Sequence, residues 1–153
     1  MEMKLLLATD GTKYGQAAAD MLAKFNFGAG DEVKIISVVD MAVPLAVDIY
    51  GGYLPDITEL EKAATENAER ILKDTAARIK SLLGDSQIRI ESEVMFGSPD
   101  SRIVETAEEM PADLIIIGSH GYKSWERLLL GSVSNSVMHH APCSVMVVRT
   151  AAE

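Results

Sequence analysis

Between Gly118 and Ser134 the chain holds residue types that can bind an anion with few cations. Gly118-Ser119-His120-Gly121 sets two glycines three apart, and Gly131-Ser132 follows after nine intervening residues. Without a Cβ, Gly118 and Gly121 let the backbone approach a phosphate and take positive φ. Gly131, Ser132, Val133 and Ser134 open a helical pattern, whose unpaired amides and positive dipole end attract anions. The Ser132 and Ser134 hydroxyls can add hydrogen bonds. Two common fingerprints fail. The first turn, Asp10-Gly11-Thr12-Lys13-Tyr14-Gly15, lacks the third glycine of a dinucleotide loop, and Tyr122 separates Gly121 from Lys123 where a Walker A loop has them adjacent. Spacing alone leaves a phosphate cradle and a flexible turn both open.

The other reactive residue types read more plainly. His139 and His140 are adjacent, so on a helix they point about 100° apart, and no acidic or cysteine partner is nearby in sequence. They read as a helix C-terminal pair, and no metal ligand is assigned. Cys143, the only cysteine, lies beside an apolar strand and reads as a small buried hydrophobe. His120 is expected near the phosphates as a neutral loop residue rather than a general base. Lys123 and Arg127 either neutralise an anion or stay solvated. Trp125 and Leu128-Leu129-Leu130 are expected to pack that loop down. No Ser-His-Asp set or marked carboxylate pair is present, so no residue is assigned as catalytic.

Charge narrows the partners. Fourteen Lys and Arg stand against 23 Asp and Glu, for a formal net charge of −9. A nucleic-acid binder needs clustered cations to displace counterions, so nucleic acid is not an expected partner. A bound nucleotide would be held mainly by backbone amides and local geometry. With 153 residues, 48% hydrophobic, the chain is expected to form one domain over 1–153 with a real core. The apolar stretch at residues 5–8 is too short for a signal sequence or a membrane span. A single cysteine permits no internal disulfide and fits a reducing compartment, so the expected address is cytoplasmic.

Alternating elements must position these residues. Residues 4–9, 33–39, 88–95, 114–117 and 144–148 read as strands. All but the third are nearly continuous apolar runs, as parallel strands covered on both faces should be. The third alternates and suits a place near an edge. Residues 14–27 carry an apolar stripe of Ala17, Ala18, Met21, Leu22 and Phe25. Residues 56–83 put Leu60, Ala64, Ile71, Leu72, Ile79 and Leu82 on one face, with Thr58 and Glu61 as a capping box and Gly84 as the stop. Ser98 reads as an N-cap before Pro99 and Asp100, and a last helix runs from Gly131-Ser132 to His139-His140. Met41 to Pro55, broken by Pro44, Gly51, Gly52 and Pro55, reads as a loop packed on the body. The alternation predicts an α/β, doubly wound, Rossmann-like open sheet of five parallel strands with helices on both faces.

In such a sheet ligands bind at the carboxyl ends of the strands, where strand order reverses. With order 3-2-1-4-5, Thr9-Asp10-Gly11, Val38-Val39-Asp40 and Gly118 to Gly121 meet there. Asp10 then suits a ribose or adenine, since a carboxylate repels phosphates but accepts from hydroxyls.

The spacing Gly118, Gly121, Gly131-Ser132 closely resembles the nucleotide-binding motif of the universal stress protein family. "LLLATDG", "GSP" at Gly97 to Pro99, "ADLIIIGSHG" and "LLLGSVSNSVMHHAPCSVMVV" extend the resemblance over nearly the whole chain. It implies ATP binding in the motif-bearing branch, sheet order 3-2-1-4-5, homodimers and a part in stress response. It also implies that Val38 meets the adenine through its backbone, while Ala8 and Thr9 line the base pocket. Ile117 joins the candidate nucleotide-binding set beside Gly118. The expected cofactor is ATP with Mg²⁺ or Mn²⁺. Ser144–Val148, an apolar strand at a sheet edge, is expected to pair with a second copy. The expected role is regulatory, with slow or no hydrolysis. An ATP-using enzyme on the same fold and an interaction module without nucleotide are the rival readings.

Overall fold

The computed structural model describes residues 1–40, 57–120 and 130–150. The elements are β1 (Lys4–Ala8), α1 (Lys13–Leu22), β2 (Glu32–Val39), α2 (Ile57–Leu83), β3 (Arg89–Phe96), α3 (Pro99–Glu109), β4 (Leu114–Gly118), α4 (Ser132–His140) and β5 (Ser144–Val148). All five strands form one parallel sheet in the order β3-β2-β1-β4-β5. The expected fold class and strand order are therefore observed.

Period-two alternation divides the core between two faces. Leu5, Leu7, Val33, Ile35 and Ile116 point to one side, where α1 and α2 cover them with Ala18, Ala19, Leu22, Leu72 and Ile79. Leu6, Ile36, Ile115 and Ile117 point to the other, under Ile103 and Ala107 of α3 and Val137 of α4. The continuous apolar runs of β1 and β4 follow from this double coverage. At the edge, β3 is largely exposed and buries Met95 alone.

Three local expectations are corrected. The first helix ends at Leu22 rather than Phe27, with a tight turn in which Lys24 and Phe25 donate to Met21 and Leu22 carbonyls. Phe25 still packs on the core from that turn, which is why it extended the apolar period. Thr58 lies inside α2, one residue past its start, so it is not the N-cap. Leu60 and Leu82 are 40% and 55% exposed, because a helix of 27 residues overruns both ends of the sheet it covers. Gly84 stops α2 as expected, at φ +60° with its amide on the Lys80 carbonyl.

At the opposite end from the site, Asp31 holds the sheet's entry. Its carboxylate accepts from the Met3 and Gly28 amides, both at 2.7 Å, and these bonds hold its pKa below the ordinary carboxylate value. A depressed folded pKa contributes stability that is complete above the unfolded value near 4 and lost as pH falls through the folded value. Asp31→Asn should therefore lower the thermal midpoint at neutral pH and shrink its drop between about pH 5 and about pH 3. A variant whose midpoint falls with acid as steeply as the wild type would contradict this role.

Candidate functional site

A cavity of about 690 Å³ opens at the carboxyl ends of β1, β2 and β4. It lies where the chain order reverses between β1 and β4. Ala8, Thr9, Asp10, Val38, Ile117, Gly118, His120, Gly131, Ser132, Val133 and Ser134 all line it. Gly121 lies outside the described residues, as do Lys123, Trp125, Arg127, Leu128, Leu129 and the segment 41–56.

The β1–α1 turn builds one wall. Asp10 Oδ1 accepts from the Thr12 amide at 3.0 Å and the Thr12 hydroxyl at 2.6 Å. Asp10 thus organises the turn, and its Oδ2 carries no hydrogen bond among the described residues. Gly11 sits at φ +78°, and a Cβ there would come within 2.8 Å of Ile71 on α2. Gly15 is also required, since its Cβ would collide with the Thr9 hydroxyl.

The second wall is β4 and the amino end of α4. The Ser119 carbonyl accepts from the Gly131 amide at 2.8 Å and from the Ser134 hydroxyl at 3.0 Å. Ser134 Oγ also stands 3.0 Å from the Gly131 carbonyl. The Ser134 hydroxyl is therefore bonded within the protein, tying α4 to the end of β4. Gly131, the N-cap, provides no side-chain cap, and the first turn of α4 carries no acid. Among the described residues, the amides of Ser132, Val133 and Ser134 thus form a helix end without a side-chain cap at the cavity wall.

Gly118 has a packing reason besides the one its spacing suggested. It is not among the positive-φ glycines. A Cβ there would lie 2.7 Å from the Tyr14 carbonyl carbon and 2.8 Å from its oxygen. Glycine lets α1 start against β4, and backbone atoms cannot swing aside as a side chain can. Gly118→Ala should therefore destabilise the fold by about 1–3 kcal/mol, as overpacking does, read as a lower chemical-denaturation midpoint. Wild-type stability would contradict this packing role. His120 continues this wall, its ring 5.1 Å from that of Tyr14 and its Nδ1 3.0 Å from the Ser119 hydroxyl.

The third wall is a strand edge. Thr9 N–H donates to the Ile36 carbonyl, and β1 pairing goes no further along β2. In a parallel ladder alternate residues bond to opposite neighbours. Val39 bonds outward, accepting from Gly97 at 3.0 Å, so Val38 shares the parity of Ile36 and faces the side that β1 has vacated. Its N–H and C=O form an adjacent donor and acceptor beside the cavity.

Asp10, Asp40 and Asp100 line the cavity, and no Lys or Arg does among the described residues. Nor do the described residues group three or more His, Cys, Asp or Glu as a metal site. Sequence reasoning missed Gly15, Asn67, Ser98, Pro99 and Asp100 as lining residues. A signal for Asn67 existed, since it interrupts the small apolar stripe of Ala64, Ala68 and Ile71 on α2. His139 and His140 stay exposed at the end of α4, away from the cavity. No helix among the described residues is long and apolar enough to cross a membrane.

Comparison with known proteins agrees with this architecture. The sequence pattern described as the universal stress protein family matches residues 1–149. A universal stress protein of Methanocaldococcus jannaschii, MJ0531, is 34% identical over 146 residues, covering 95% of this chain and 81% of its own. The solved hypothetical protein MJ0577 superposes with a TM-score of 0.83 at 25% identity, over 100% of this chain and 99% of its own. Two more distant structures share the fold. One, a universal stress protein in complex with cAMP, has a TM-score of 0.70 at 23% identity, over 97% and 98% of the chains. The other, from Arabidopsis thaliana with AMP bound, has a TM-score of 0.68 at 15% identity, over 98% and 93%.

Proposed function

The chain belongs to the universal stress protein family, and from that premise we propose that its cavity binds ATP as a regulatory ligand in a stress response. One observation carries the reading: an uncapped helix end and an open donor–acceptor pair on a strand face the same cavity. The amides of Ser132 to Ser134 suit phosphate oxygens. The Val38 N–H and C=O suit the ring nitrogen and exocyclic amine of adenine. Asp10 Oδ2 accepts from ribose hydroxyls, and Ala8, Thr9 and Ile117 flank the base. A volume of about 690 Å³ is in the usual range for small-ligand sites.

Three carboxylates on the walls make a bare triphosphate electrostatically unwelcome. A divalent ion, Mg²⁺ or Mn²⁺, held mainly by phosphate oxygens offsets that charge. Two distant relatives hold cAMP and AMP in their structures, which supports an adenine nucleotide as the ligand class. The address proposed is cytoplasmic and the unit one domain. Mass analysis of small molecules released on denaturing the purified protein tests the ligand. ATP or another adenine nucleotide near one per chain is expected; its absence after incubation with ATP and Mg²⁺ would leave an interaction module as the better reading.

We also propose a homodimer through β5. The Ser119 amide donates to the Val148 carbonyl, so Ser144, Met146 and Val148 bond inward to β4. By alternation Val145 and Val147 turn their backbone groups to the free edge. Val148 is 5% exposed and packs in the core, so a charge there would test folding rather than assembly. Val147→Pro, which removes one outward N–H, should lower the mass seen by light scattering from dimer to monomer. A wild type that is monomeric at high concentration would contradict the dimer.

A further inference from the structure

Two helix amino ends reach the cavity, and they are equipped differently. That of α4 has neither a side-chain cap nor an acid in its first turn. That of α3 carries Asp100 in its first turn, and the carboxylate lines the cavity. Both of its oxygens are held. Oδ1 accepts from the Ser98 hydroxyl at 2.5 Å, and Oδ2 from the Ser136 hydroxyl of α4 at 2.8 Å. Ser98 is the N-cap by position, yet it directs its hydroxyl to Asp100 and makes no side-chain cap. These hydroxyl bonds, Ser98 first, hold the Asp100 pKa below the ordinary carboxylate value.

A carboxylate at a helix amino end satisfies the dipole that would otherwise draw a phosphate. The Gly97 amide on the Val39 carbonyl ties the start of α3 to the carboxyl end of β2, on the β3 side of that strand. Asp100 is thus a fixed negative charge on the cavity wall between the start of α3 and α4, opposite in sign to the α4 amino end.

We propose that Asp100 is a specificity-determining residue that closes the α3 end of the cavity to anions, so that phosphates enter only at α4. The inference rests on the nucleotide reading above and adds a residue that refuses a second anion. Refused are ligands that carry a second anionic group away from the one held at α4.

The test compares wild type, Asp100→Asn and Ser136→Ala by calorimetry, with thermal melts to check folding. The probes are inorganic tripolyphosphate, adenosine, AMP and adenosine 3′,5′-bisphosphate. Removing one nearby charge should raise tripolyphosphate affinity relative to adenosine by about threefold or more in Asp100→Asn, and narrow the preference for AMP over the bisphosphate. Ser136→Ala keeps the charge and should leave the tripolyphosphate affinity as in wild type. An Asp100→Asn protein with unchanged or weaker tripolyphosphate binding would overturn the proposal, as would a Ser136→Ala protein that behaves like it. Should wild type bind neither AMP nor adenosine, the nucleotide reading fails, while the tripolyphosphate comparison still decides the charge effect.

Discussion

Valine in place of Gly131 should weaken ATP binding by about tenfold or more, on the order of 1.4 kcal/mol, while circular dichroism stays native. Gly131 is buried at the head of α4 with φ −61° and ψ 158°, a conformation that any L residue adopts. Its amide bond to Ser119 survives the change. What valine adds is therefore bulk beside the amides of Ser132 to Ser134, not backbone strain. Serine at the same position sharpens the test. An N-cap hydroxyl accepts from the second or third helical amide, and over a glycine N-cap it stabilises a helix by roughly a few tenths of a kcal/mol. Gly131→Ser should then raise the thermal midpoint and still weaken ATP, because the side chain competes with phosphate for those amides. Calorimetric affinities equal to wild type in both variants would remove this helix end from the site.

Purified protein given ATP with Mg²⁺ or Mn²⁺ should turn over far more slowly than the ~1–10³ s⁻¹ usual for enzymes. Fast hydrolysis needs an in-line water held by a base, with charge stabilisation beyond that of binding. The described walls offer amides and hydroxyls, which hold ground state and transition state nearly alike and so give affinity without rate. Asp10 Oδ1 is engaged by Thr12, and His120 lies against Tyr14 and Ser119. Radiolabelled ATP measures the rate directly. Turnover above roughly one per second, lost in His120→Ala with binding retained, would make the protein an ATPase.

The strands were legible because double coverage leaves a plain mark, an unbroken apolar run such as Leu5-Leu6-Leu7 or Ile115-Ile116-Ile117. Strand-helix alternation announced the fold class, and the resemblance carried by the spacing of Gly118, Gly121 and Gly131 announced the strand order. What could not be read was the reason for each residue. Gly118 looked like a phosphate contact, yet its missing Cβ makes room for Tyr14, a contact between elements more than a hundred residues apart. Ser134 looked like a ligand donor, yet its hydroxyl ties α4 to β4. Asp100 was read only as a helix-favouring acid. Its carboxylate also accepts from Ser136, 36 residues away, and pattern within α3 cannot show that. Phe25 shows the converse error, since a core contact made from a turn mimicked helical period.

Calorimetric titration of the wild-type protein with ATP and with GTP, each with Mg²⁺, tests the central claim most directly. The open N–H and C=O of Val38 match the acceptor and donor order of adenine, and guanine presents the reverse order on that edge. A mismatched buried pair costs about 1–3 kcal/mol. ATP should bind near one per chain, and GTP weaker by about tenfold or more. Equal affinities for ATP and GTP, or no saturable heat with ATP, would contradict it.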